Sequence, residues 1–119
     1  MTNVLAILIL SSGFSVAIET GGGFIERSFA NTKEGIEQFL SFSTPLVQAE
    51  GRAVKVCTVT LADDPGEVMR WLLETGSGPA ILSSVVFREF AQRNDASLES
   101  AGTAARACLA AFPFIRKVG

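Results

Sequence analysis

The chain has 119 residues, of which 48% are hydrophobic and 18% charged, with 10 Lys and Arg against 12 Asp and Glu and no His. That length suits one domain, residues 1–119, with a real core, and the apolar content excludes disorder as a description of the whole chain. A formal charge of −2 argues against a generic polyanion binder, and the lack of His and Tyr removes His-based zinc sites, Ser-His-Asp and Cys-His catalysis, and phenolic acids.

Residues 4–10 are an unbroken apolar run, Phe14, Val16 and Ile18 alternate with Ser15 and Ala17, and residues 24–29 are strand-like as well. Ser11-Ser12-Gly13 and Gly21-Gly22-Gly23 are the short turns that close hairpins, so the spacing predicts a three-stranded antiparallel meander. No Lys or Arg precedes Arg27, which removes the positive start of a signal peptide. The first apolar run also falls far short of the roughly 20 residues that span a bilayer. A buried strand in a soluble, cytoplasmic protein with no membrane partner is expected.

Asn31 then offers an N-cap with Glu34 three positions on, and Ile36, Phe39, Leu40 and Phe42 give a helical stripe. Thr44-Pro45 is expected to stop this helix, with a loop over residues 45–53. Residues 54–61, rich in β-branched side chains, predict a fourth strand. In Asp64-Pro65-Gly66-Glu67, Asp64 fits an N-cap, Pro65 the first helical position and Glu67 the third, with Gly76 as the stop. A short strand at 79–82 and helices over about 85–93 and 98–111 complete the chain.

Three hairpin-linked strands followed by two helix–strand units make a mixed α/β sheet with helices on both faces. Right-handed crossovers place the fourth strand beside the first, giving five strands in the order 3-2-1-4-5. This is the three-layer layout of the ribonuclease H-like fold.

Cys57 and Cys108 lie in apolar stretches. At so low a cysteine density they read as buried free thiols of a reducing compartment. Gly76-Ser77-Gly78-Pro79 and Gly21-Gly22-Gly23 lack the Gly-Lys-Ser/Thr of a phosphate loop. They read instead as a helix stop and a hairpin tip. Ser11, Ser12, Ser83 and Ser84 fall at strand ends without a base to activate them.

Phe29-Ala30-Asn31-Thr32, followed by Lys33-Glu34-Gly35 and a helix, resembles the phrase after the third strand in the DEDD transposases of bacterial insertion sequences. Those proteins are related to the pilin-gene invertases and carry a RuvC-like N-terminal domain. Trp71-Leu72-Leu73-Glu74-Thr75-Gly76, Phe90-Ala91-Gln92, and the run from Ala104-Ala105-Arg106 to Cys108-Leu109-Ala110 are similar to later stretches of the same domain. The likeness runs over about residues 4–112.

The resemblance implies a ribonuclease H-like scaffold. It also implies four carboxylates, on the first strand, at the end of the fourth, and twice on the last helix, holding paired Mg²⁺ for phosphodiester attack. The first strand here has no acid, Thr58-Val59-Thr60 stand where the Glu belongs, and Gly102 and Ala105, or Ala101 and Ala104, stand where the two Asp belong. The chain ends at Gly119, short of the serine-nucleophile domain that follows in the family. The expectation is therefore a scaffold without enzymatic activity, catalytic residues or cofactor: an accessory or regulatory protein of mobile-element ancestry, acting by nucleic-acid or protein binding.

Two other readings stand beside it. A divergent metal-dependent nuclease would use Asp63, Asp64 and Glu67, with Glu19 as a further ligand. A homodimeric or partner-binding module would use the apolar stretch Phe112, Phe114 and Ile115, unless that segment folds back across the sheet. For nucleic acid the candidates are Arg88, Arg93, Arg106, Arg116 and Lys117. These make residues 85–119 net basic while the preceding part is net acidic.

Overall fold

A computed structural model of the chain describes residues 3–51, 53–76 and 78–113. The opening runs form β1 (Asn3–Leu10), β2 (Gly13–Thr20) and β3 (Gly23–Phe29). They pair antiparallel, with Leu10 opposite Gly13 and Thr20 opposite Gly23, so each hairpin closes through two residues. After α1 (Lys33–Glu50), β4 (Val54–Thr60) returns parallel to β1 on its free side. Past α2 (Gly66–Glu74), β5 (Ala80–Leu82) lies parallel to β4. Helices α3 (Ser84–Arg93) and α4 (Ala101–Ala111) follow. The sheet order is β3-β2-β1-β4-β5, the order expected from the sequence.

β1 is apolar from Val4 to Leu10 because both its faces are covered. Leu5, Ile7 and Ile9 enter one core with Phe14, Val16, Ile36, Phe39, Val68 and Leu72, beneath α1 and α2. Val4, Ala6 and Leu8 enter the other with Ala17, Cys57, Val59, Phe87 and the alanines of α4. On the first face, Phe14, Phe29, Phe39, Phe42 and Trp71 touch ring to ring with centroids 5.6–6.1 Å apart. The Arg27 guanidinium lies 4.6 Å from the centre of the Phe42 ring.

Several local expectations are corrected. Helix α1 does not stop at Thr44-Pro45 but runs through Pro45 to a left-handed Gly51 (φ 64°). Its stripe continues past the proline as Leu46 and Val47, which pack on the same core. That burial offsets the roughly 3 kcal/mol a helical proline costs. Asn31 does not cap α1: Thr32 does, its hydroxyl accepting the Gly35 N–H at 3.1 Å.

At α2, Pro65 occupies the cap position and offers no side-chain hydrogen bond, while Asp64 Oδ1 accepts from Gly66 N at 2.9 Å just ahead of the helix. The last helix begins at Ala101, with Ser100 as its cap.

The free-thiol expectation is overturned. Cys57 on β4 and Cys108 on α4 meet in the second core as a disulfide, Cα–Cα 6.5 Å. Low cysteine density argues against a framework of bridges, but it does not bear on one pair brought face to face by a helix crossing a strand. The thiol-based case for a reducing compartment falls with it. Among the described residues no helix is long and apolar enough to cross a membrane.

Candidate functional site

The carboxylates that the transposase resemblance implies would fall on β1, at the end of β4 and on α4. Leu8 stands directly opposite Val59 in the parallel register. Both are fully buried, and Ala101, Ala104 and Ala105 of α4 are fully buried in the same cluster. All five positions carry aliphatic side chains only.

A carboxylate does reach the start of α4, but from an unexpected direction. Phe24, Glu26 and Ser28 alternate onto the α4 face of β3. Glu26 Oε1 accepts the Gly102 N–H at 2.9 Å and the Ser100 hydroxyl at 3.0 Å. Ser100 Oγ in turn accepts from Thr103 N at 3.3 Å. A Cβ on Gly102 would come within 2.9 Å of Glu26 Oε2, so the glycine makes room for this contact. The arrangement satisfies free N–H groups and complements the helix dipole.

Beside it lies a polar hollow of about 270 Å³ lined by Ser12, Ser15, Ser28 and Glu99, with Leu10 and Phe29. The Ser15 and Ser28 hydroxyls, cross-strand partners, are hydrogen-bonded at 2.7 Å. The sequence pattern passed over both Glu26 and this serine pair. The available signal was their shared alternation on β3, which turns a polar stripe towards α4.

The acids of the metal reading are not brought together. Asp63 and Asp64 are exposed in the turn after β4, and Glu67 Oε1 pairs with Arg70 at 3.0 Å. Glu19 lies at the far end of the sheet, where its Oε1 accepts the Val4 N–H at 3.0 Å. Among the described residues no three of Cys, Asp and Glu form a group that could hold a metal ion.

The basic candidates are dispersed. Arg88 borders a depression with Gln92, Ala96 and Leu98. Arg93 lies in the groove between α3 and α4 with Glu89 and Asn94. Arg106 is exposed on α4, its guanidinium 3.4 Å from the Thr103 hydroxyl. Phe112 is half-buried and packs against the α4-side core. Phe114, Ile115, Arg116 and Lys117 lie outside the described residues.

The fold thus defines a mixed α/β protein with a five-stranded sheet in the order β3-β2-β1-β4-β5. Compared with protein-family models and with curated proteins, the chain matches none of them.

Proposed function

We propose that this chain is a non-catalytic ribonuclease H-like domain, related to the RuvC-like part of DEDD transposases, that serves as an accessory or regulatory protein by binding nucleic acid or a protein partner. The observation that carries this reading is the apolar corner. Leu8 and Val59 face each other across the register and share one buried core with Ala101, Ala104 and Ala105 of α4, on the strands and helix where a two-metal nuclease of this layout would need carboxylates. A corner packed with apolar side chains gives Mg²⁺ neither ligands nor water. The sheet order and the transposase-like phrase around Asn31 supply the scaffold side of the reading.

The test is incubation of the purified protein with Mg²⁺ or Mn²⁺ on single-stranded, duplex and branched DNA, next to gel shifts at low and raised salt. The expected result is no cleavage, together with a salt-sensitive shift weakened by Arg88→Ala and Arg93→Ala. Cleavage abolished by Asp63→Asn would overturn the reading in favour of a divergent nuclease. No shift at any salt, with a concentration-dependent dimer, would assign the binding role to protein contacts alone.

A further inference from the structure

The disulfide joins a central strand to the helix that closes the second core, and the way α4 is held gives that bond a particular role. The buried face of α4 consists of Ala101, Gly102, Ala104, Ala105, Ala107 and Cys108, with Thr103. Small side chains let the helix lie close to β1, β2 and β4, but each removes little apolar area from water. At its first turn α4 is held by Glu26, through Ser100 and Gly102. Towards its other end it is held by Cys108, bonded to Cys57. Both cysteines have 0% exposure.

We propose that the Cys57–Cys108 disulfide is a redox latch: oxidised, it fastens the C-terminal half of α4 to the sheet, and reduced, it lets that half lift from β1 and β4. The latch stands apart from the proposed binding function, and neither depends on the other.

Release by a dithiol is balanced. One thiolate of the reductant attacks a cysteine sulfur, the S–S bond breaks, and the other cysteine leaves as thiolate. The reductant's second thiolate then attacks its own sulfur in the mixed disulfide and expels the remaining cysteine. Two electrons pass to the protein, the dithiol becomes a cyclic disulfide, and its two protons end on Cys57 and Cys108. Because neither sulfur is exposed in the closed state, attack waits on transient opening of α4, a local event that does not require global unfolding.

The experiment folds the full chain in the presence of a low-molecular-weight disulfide, then follows thiol content and amide hydrogen exchange with and without dithiothreitol, in native buffer and in urea. No free thiol is expected before reduction and two after it, with native-state reduction at least about tenfold slower than reduction in urea. In the reduced protein, exchange over residues 105–111 is expected to quicken at least about tenfold while β1, β2 and β3 keep their protection. The Cys57→Ser, Cys108→Ser double variant is expected to reproduce the reduced pattern; should it not fold, the wild-type chain reduced in place supplies the measurement.

Two free thiols in the folded, oxidant-treated protein would overturn the proposal. So would unchanged exchange over residues 105–111 on reduction. Protection lost everywhere at once would also overturn it, since the bond would then be a global staple.

Discussion

Asn31 caps a helix that it precedes by more than thirty residues: its Oδ1 accepts the Val68 N–H at 2.9 Å, while its Nδ2 donates to the Pro65 carbonyl at 2.8 Å. The contact ties the β3–α1 junction to the start of α2, whose own cap position is a proline with nothing to offer. Gly66 sits between them at φ 69°, where a side chain is strained, and a Cβ there would come within 2.7 Å of Asn31 Nδ2.

Replacing Asn31 should therefore weaken α2 rather than α1. Asn31→Ala is expected to cost about 1–2 kcal/mol in urea unfolding, the usual range for a lost cap. Thr32→Ala should cost about 1 kcal/mol by the same measure, with the change in hydrogen exchange falling on α1. Exchange lost from the first turn of α1 on Asn31→Ala would show that the cap assignments are reversed.

Two helical glycines should respond unequally to the same substitution. A Cβ on Gly35 would overlap the carbonyl oxygen of Ala30, a backbone atom that cannot step aside. Gly35→Ala is expected to destabilise by about 2 kcal/mol or more, as overpacking does. At Gly102 the obstacle is the end of a flexible side chain, Glu26. There the gain of about 1 kcal/mol in helix propensity offsets a loss of similar size from the displaced cap. Gly102→Ala should leave the urea midpoint nearly unchanged, and equal destabilisation at both sites would contradict this account.

The contrast between Asn31 and Leu8 marks what was legible in the sequence. Strand order follows from alternation, turn spacing and crossover handedness, all local or topological, so the positions of β1 to β5 were readable. That β1 lies beside β4 follows once the order is known, whereas the register that sets Leu8 opposite Val59 comes from the structure. The partner of Asn31 was hidden because Asn followed by Thr offers two caps in succession, and only tertiary placement says which side chain turns inward.

Pro45 misled for a related reason. Its intrinsic penalty is local, whereas the burial of Leu46 and Val47 that offsets it is not. The disulfide was out of reach because fifty-one positions of separation say nothing about which strand a helix will cross.

Thr58 offers a stabilising change. It lies in the middle of β4 between Ile7 and Ile81 in the register, fully buried, and its Oγ1 has no hydrogen-bond partner among the described residues. A buried hydroxyl without a partner costs about 1–3 kcal/mol in desolvation. Thr58→Val keeps the β-branched shape and removes the polar atom, so it should raise stability by about 1 kcal/mol. The check is a higher urea midpoint with unchanged slope. A lower midpoint would mean that the hydroxyl is satisfied in solution, by water entering the sheet.

The Leu8–Val59 pair makes the sharpest prediction, because it sets the core against the introduction of a metal site. Leu8→Asp would place a carboxylate among Val59, Ala104 and Ala105, all fully buried. The penalty for an unpaired buried charge is several kcal/mol. Against a total stability of roughly 5–15 kcal/mol for a domain, that is expected to leave Leu8→Asp largely unfolded at neutral pH. Adding Val59→Glu should worsen it, since two carboxylates facing each other across the register repel. Leu8→Met, which conserves volume, should cost less than about 1.5 kcal/mol. Circular dichroism melts with and without Mg²⁺ decide the matter. If the double acidic variant is rescued by millimolar Mg²⁺ through a metal-dependent rise in melting temperature, α4 can open and the fold can hold a metal between β1 and β4. If Mg²⁺ changes nothing, the packing of alanines against Leu8 and Val59 has closed the site.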